Sequence, residues 1–247
     1  MRVAVVALVA VALGVSAAPA MANHSWGGYH WARTANPFNV RLGDNVTTAW
    51  DSYLGGASAD WSRSRVLDAP VVAGLTTGKR CRATSGRAEV CNASYGRNGW
   101  LGIASIWASG SHITQATVKL NDTYYSTAFY NTPIWRASVT CQEVGHVFGL
   151  DHQDESGADF HTCMDYASTP DADNTQPNQH DYDMLEQIYA HTDSSSTVST
   201  APAGNGRGLK RVDDDLWVED LGNGHKRFVH VYWADRGRSH RAAPEDS

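Results

Sequence analysis

Five residues in one short stretch could together perform metal chemistry: Gln142, Glu143, His146, Gly149 and His152. On an α-helix, Gln142 and His146 lie about 40° apart on one face, with Glu143 beside them. Gly149 can adopt the positive φ that ends a helix, so the chain can turn back and bring His152 to the same point. Neutral imidazoles bind Zn²⁺, and a neighbouring carboxylate can take a proton from water. The spacing therefore predicts a zinc site with its own base.

With one exception, this stretch resembles the metzincin zinc peptidases of the matrixin and astacin type. Their signature is H-E-x-x-H-x-x-G-x-x-H followed by a methionine-containing Met-turn. Four residues match its second, fifth, eighth and eleventh places: Glu143, His146, Gly149 and His152. Met164 follows at a distance typical of the Met-turn. The exception is the first place, where the family has a histidine ligand and this chain has Gln142.

The resemblance implies a role for each of these side chains. His146 and His152 bind the zinc ion, and Gln142 takes the third ligand place through its amide oxygen or a bridging water. Glu143 is the general base, which takes a proton from the attacking water and passes it to the leaving amine. Met164 forms the floor of the site.

Three further residues near or before this stretch have open roles. Tyr166 stands where astacins and serralysins have a tyrosine whose hydroxyl stabilises the oxyanion; a buried structural phenol is the alternative. His161 is the nearest spare histidine and a possible substitute for the missing ligand. We expect His112 to be structural or on the surface. For the stretch as a whole, the simpler alternative is a core helix with satisfied polar groups.

The hydrophobic periodicity around the stretch predicts alternating strands and helices. Strands are predicted at 38–42, 65–72, 87–94, 100–107 and 116–120, and helices at 49–62, 138–150 and 180–191. This order resembles the metzincin fold, which implies an α+β protein with a twisted mixed sheet, an active-site helix, a Met-turn and a C-terminal helix. In that family the substrate adds its backbone along the edge strand of the sheet. We expect that edge at residues 116–120, or at 109–112 leading into it.

Four cysteines in an exported chain predict two disulfides, for which three pairings exist. Cys81 and Cys91 flank a plausible turn at 85–86, so we expect them to pair. Cys141 and Cys163 remain, and their bond would clamp the Met-turn to the helix. A cysteine zinc site is the alternative, but the chain has no C-x-x-C spacing.

Residues 1–22 have the pattern of a secretory signal peptide. Arg2 is their only charge, an apolar run covers 3–15, and small residues at 18–20 or 20–22 offer a cleavage site. No later stretch is apolar enough to span a membrane. Without Arg2, 19 basic residues remain of the 20, against 26 acidic ones, a net charge of about −7. This balance disfavours nucleic acid and membrane partners, and we expect a secreted monomer.

The chain divides into four predicted parts. A signal peptide at 1–22 precedes a catalytic domain at 23–192, and a Ser/Thr/Gly-rich linker follows at 193–208. Residues 209–247 are predicted to form a β-hairpin around the turn at 222–224 and a disordered tail. Because an isolated hairpin is marginal in water, we expect it to dock on the catalytic domain or on a partner.

These observations predict a secreted zinc endopeptidase that acts on proteins or peptides. Two alternatives remain. One is a catalytically weak or inactive metzincin-like protein that binds peptides without cutting them. The other is a polysaccharide-binding module that uses some of the 9 Trp and 10 Tyr residues. The sequence contains no G-x-S-x-G elbow, which disfavours a serine hydrolase.

Overall fold

A computed structural model of the chain describes residues 24–153, 157–165, 169–197 and 208–234. The predicted signal peptide at 1–22 and the tail beyond residue 234 lie outside these ranges. The helices are α1 (Asp51–Trp61), α2 (Asp122–Tyr125), α3 (Pro133–His146) and α4 (Gln179–Ile188), with a short 3-10 helix at Asp173–Thr175. The strands are β1 (His30–Trp31), β2 (Phe38–Asn39), β3 (Leu42–Asn45), β4 (Leu67–Asp68), β5 (Val71–Ala73), β6 (Ala88–Ala93), β7 (Trp100–Ser109), β8 (His112–Asn121), β9 (Lys210–Arg211), β10 (Leu216–Gly222) and β11 (His225–Trp233). The predicted α+β class is confirmed.

A nine-stranded mixed sheet forms the centre of the molecule, in the order β5-β3-β6-β8-β7-β11-β10-β9, with β1 beside the start of β8. β3 is parallel to β5 and β6, and β6 is parallel to β8, whereas β7 is antiparallel to both β8 and β11. The prediction that the sheet edge lies at 116–120, or at 109–112 leading into it, is wrong. Residues 116–120 lie in β8, between β6 and β7, because the hairpin of β7 and β8 folds with β8 inward. Ser109 is paired with His225, and His112 is paired with His30.

The C-terminal hairpin extends this sheet. β10 and β11 pair antiparallel, and β11 pairs with β7 from His225 opposite Ser109 to Trp233 opposite Trp100. The hairpin therefore docks on β7, the strand next to α3. Docking on the preceding domain was one of the two arrangements expected from the sequence, and docking on a partner was the other. None of the helices in the described ranges is long and apolar enough to cross a membrane.

Helix α3 begins earlier and ends earlier than predicted. Thr132 caps it by accepting a hydrogen bond from the amide of Trp135, and Pro133 takes the first helical position, where a missing N–H costs nothing. The helix ends at His146, and Gly149 has the expected positive φ of 96°. A Cβ at Gly149 would lie 2.2 Å from the carbonyl oxygen of Tyr29, so only glycine fits this close approach.

The core holds α3 against α1 and the segment around Met164. Trp61 of α1 is fully buried, and its indole N–H donates to the carbonyl of Cys141 at 3.0 Å. At Gly145, a Cβ would lie 2.5 Å from the Met164 sulfur and 2.6 Å from the Trp61 ring. The two predicted disulfides, Cys81–Cys91 and Cys141–Cys163, are both present. The second joins α3 to the segment that contains Met164.

Candidate metal centre

His146 is the last residue of α3 and is fully buried. Its Nδ1 lies 2.9 Å from the carbonyl oxygen of Leu150. Because a carbonyl only accepts hydrogen bonds, Nδ1 carries the proton, and Nε2 is left with its lone pair. This is the usual way in which a metal-binding histidine is oriented.

His152 follows the turn at Gly149 and is 4% exposed. The ring centroids of His146 and His152 lie 5.1 Å apart. The Nδ1 of His152 lies 3.1 Å from a carboxylate oxygen of Asp215, in the segment that leads into β10. The sequence prediction that the turn brings these two histidines together agrees with this geometry.

A third histidine reaches the same place from the other end of the chain. His230 lies in β11, opposite Ala104 of β7, and is 1% exposed. One ring nitrogen from each of His146, His152 and His230 can be chosen so that all three lie within 4.8 Å of one another. The three buried imidazoles therefore form a cluster with the composition of a zinc site.

Carboxylates surround the ring of His230. Its Nε2 lies 3.3 Å from Asp151 and 3.7 Å from Asp215. Burial by itself would lower the pKa of His230, but Asp215 and Asp151 outweigh it and raise the pKa to about 9. The pKa of Asp151 is lowered because its contacts with His230 outweigh its burial. In the metal-free protein, His230 is therefore a buried imidazolium that a metal must deprotonate to bind.

Glu143 is fully buried on α3, beneath strand β7. A Cβ at Gly102 of β7 would lie 2.8 Å from a carboxylate oxygen of Glu143. Glycine at this position lets the strand pass directly over the carboxylate. Glu143 is also close enough to His230 to help raise the pKa of that ring. The predicted base thus lies next to the histidine cluster.

Gln142 is 1% exposed, and its side chain is anchored to the segment around Met164. Its Nε2 donates to the carbonyl oxygens of Cys163 and Asp165, at 2.6 and 2.8 Å. These two bonds occupy both protons of the amide nitrogen. The oxygen Oε1 is the only atom of Gln142 that can serve as a metal ligand, and the ligand role of this residue stays a prediction.

The other predicted candidates lie elsewhere. Tyr166 is outside the described residues, so its role also stays a prediction. The side chain of His161 is 66% exposed, and its Nδ1 lies 3.4 Å from Asp159 and 3.7 Å from Asp173. It is a surface residue, whereas the clustered histidines are buried.

Aromatic packing closes the site. Trp26 is 3% exposed and stacks on both His146 and His230, with ring centroids 5.5 and 5.2 Å apart. His230 in turn covers His146 from the side of β11. In this conformation the cluster is shielded from solvent by the chain itself.

Sequence reasoning missed His230, Asp215 and Asp151. One signal pointed to His230: it alternates with Phe228 and Tyr232, so it had to share their apolar face. A histidine in the middle of an inward-facing apolar row needs a polar partner there. Nothing local indicated that this face would cover α3.

Comparison with known proteins finds no family model that matches the chain and no curated protein that resembles it in sequence. Among solved structures, a match is high choriolytic enzyme 1, a hatching enzyme zinc-protease from Oryzias latipes (medaka fish). The TM-score is 0.37 at 9% sequence identity, over 67% of this chain and 96% of that one. Similarity at this level assigns neither a family nor an activity to the chain.

Proposed function

We propose that this protein is a zinc-dependent peptidase held in a closed state by its own C-terminal strand, with the metal on His146, His152 and His230. The observation that carries the proposal is the convergence of three buried imidazoles from helix α3, from the turn after it and from β11. Such a set of neutral nitrogen donors is typical of zinc sites with catalytic function.

The charges around the cluster also favour a divalent cation. Glu143 and Asp215 are buried, and Asp151 is only partly exposed. Burying carboxylates is costly unless positive charge compensates them. A protonated His230 supplies one positive charge, whereas Zn²⁺ supplies two and leaves the imidazoles neutral. The contacts of His146 with the Leu150 carbonyl and of His152 with Asp215 orient both rings for this role.

Zinc held by the three histidines would supply a Lewis acid for the peptide carbonyl and would make water more acidic. Glu143 accepts the proton of the attacking water and later donates it to the leaving amine. Its position beneath Gly102 keeps the carboxylate away from bulk solvent. The buried Met164 supports the helix from below by contact with Gly145.

The closed state follows from the position of β11. In metzincins, which this sequence resembles, the substrate pairs with the edge strand beside the active-site helix. Here β11 pairs antiparallel with β7, and His230 points at the histidine cluster. Displacement of β11 would free that edge for a peptide and vacate one ligand position for water. Gln142 Oε1 is then the remaining candidate for a third protein ligand.

A second candidate is a protein that binds zinc but does not cut peptides. The burial of His230, at 1% exposure, favours it, because a permanently closed site admits no substrate. The polysaccharide-binding alternative has less support, since every Trp except Trp107 is buried and aromatic platforms need exposed rings. Export from the cell also remains a proposal, which the two disulfides favour.

Glu143→Gln tests the function. Zinc content and casein cleavage should be measured for the parent and for His230→Ala, each with and without Glu143→Gln. We expect zinc in all four proteins at saturating metal, and cleavage that falls by at least about 100-fold with Glu143→Gln. If all four proteins bind zinc and none of them shows cleavage that a chelator blocks, the non-hydrolytic candidate is favoured. Absence of zinc from the parent would overturn both.

A further inference from the structure

A second group of histidines surrounds a single carboxylate oxygen on another part of the molecule. The Oδ1 atom of Asp193 lies 3.5 Å from Nε2 of His30, 3.3 Å from Nε2 of His112 and 3.6 Å from Nε2 of His191. The Nε2 atoms of His30 and His191 are 3.2 Å apart. None of these residues belongs to the cluster around His146.

The positions of these side chains follow from the fold. His30 of β1 and His112 of β8 are register partners on neighbouring parallel strands, so their side chains share one face of the sheet. His191 and Asp193 follow helix α4, where the chain runs back along β1. Three separate segments thus bring their donors to one point.

The distances are compatible with ligand atoms that share one metal ion. Good N–H···O bonds measure about 2.7–3.2 Å between heavy atoms, and all three Asp193 contacts are longer. In a tetrahedral zinc site with bonds of about 2.0 Å, neighbouring ligand atoms lie about 3.3 Å apart. The four separations, 3.2 to 3.6 Å, cluster around that value.

The proton positions support the same conclusion. The Nδ1 of His30 lies 2.7 Å from the carbonyl of Gly28 and must donate to it. Its Nε2 then carries a lone pair that is available to a metal, 3.5 Å from Oδ1 of Asp193 and 3.2 Å from Nε2 of His191. The other oxygen of Asp193 accepts from the guanidinium of Arg33 at 2.8 Å, which orients the carboxylate.

We propose that this group of residues is a second zinc site, with His30, His191 and Asp193 as the ligands. Imidazole nitrogens and a carboxylate oxygen are donors that zinc accepts, and these three residues have donor atoms within 4.8 Å of one another. His112, whose side chain is 36% exposed, lies beside this set and contacts Asp193 at 3.3 Å.

The site would fasten the segment that covers the first metal centre. His30 lies four residues after Trp26, which stacks on His146 and His230. A metal bound to His30, His191 and Asp193 ties that segment to the chain after α4. The second zinc thereby stabilises the fold and the cover of the first site without touching substrate.

Zinc content per chain after dialysis against a weak chelator tests this inference. His191→Ala and His112→Ala replace the two most exposed members of the site, so they are least disruptive to folding. We expect the double variant to hold one zinc ion fewer than the parent. His146→Ala should remove a different ion, and combining all three changes should remove both. His225→Ala, on the hairpin outside both clusters, is the matched control.

Cobalt substitution gives a second readout that does not depend on activity. Co²⁺ in His146→Ala should show the intense visible absorption of a tetrahedral nitrogen and oxygen site, and adding His191→Ala should abolish it. Equal zinc content in the parent and the folded His112/His191 double variant would overturn the second site. Loss of zinc with His191→Ala but not with His146→Ala would instead overturn the metal centre under the proposed function.

Discussion

The rings of His230 and His146 stack with their centroids 3.7 Å apart and their planes 27° from parallel. His146 ends helix α3, which carries Glu143, and His230 belongs to β11, the strand between β7 and β10. This contact joins helix α3 to the C-terminal hairpin. Under the proposed function, the hairpin would control both the ligand set and the access of substrate.

His230→Ala should weaken zinc binding and increase peptide cleavage. Loss of one imidazole should raise the dissociation constant for zinc by at least about tenfold, as for other changes at metal sites. At saturating zinc, the vacated position should admit water, and cleavage of a fluorogenic peptide should exceed that of the parent. Chelator competition and the peptide assay measure the two effects. His225→Ala should change neither, and an unaltered zinc affinity in His230→Ala would show that His230 is not a ligand.

Gln142→Leu should destabilise the fold, because it removes the donor to the buried carbonyls of Cys163 and Asp165. A buried polar group that loses its hydrogen-bond partner lowers the free energy of unfolding by about 1–3 kcal/mol. Urea unfolding in the presence of a chelator isolates this structural effect. Gln187→Leu, at an exposed position on α4, is the control and should be nearly neutral. If zinc affinity also falls in Gln142→Leu, its Oε1 is a ligand; a stability equal to that of the parent would contradict the anchoring role.

The stability of the metal-free protein should decrease in alkaline solution because of His230. Its pKa is raised from 6.5 to about 9 in the folded state, so its ion pairs stabilise the protein fully below about pH 6.5. This contribution is lost as the pH rises through about 9, and the change from pH 6 to pH 10 is about 3 kcal/mol. Urea unfolding with a chelator across this range measures it. His230→Gln cannot titrate, so a decrease of equal size in that variant would assign the effect to other groups.

Replacing both Cys141 and Cys163 by alanine should loosen the metal centre as well as the fold. The bond closes a loop with a sequence separation of 22 residues, which corresponds to about 3 kcal/mol of stability. Because Gln142 and Met164 adjoin the two cysteines, zinc should also dissociate faster. The matched control replaces Cys81 and Cys91, whose bond should affect stability but leave zinc release unchanged. Equal zinc release from both double variants would show that the disulfide near Met164 has no special role.

Local sequence patterns determined much of the candidate site. The spacing of Glu143, His146 and His152 and the break at Gly149 depend only on helix geometry and on the conformations open to glycine, which act over a few residues. The Cys81–Cys91 disulfide and the hairpin were also predictable, because turns bring nearby residues together. The Cys141–Cys163 pair followed because these were the two remaining cysteines. The predicted helix limits were off by a few residues at α3, where the Thr132 cap and Pro133 set the start.

Tertiary structure alone decided which side chains complete the site. Alternation in β11 places His230 on an apolar face, but it does not state which strand β11 will pair with, and that pairing with β7 brings the ring to His146. Gln142 points to the segment around Met164 because the carbonyls of Cys163 and Asp165 lie within its reach. Strand pairing and the approach of distant carbonyls depend on the packing of the whole core. Short-range periodicity does not predict strand pairing or the approach of distant carbonyls. The place of His230 beside His146 could therefore be found only in the folded chain.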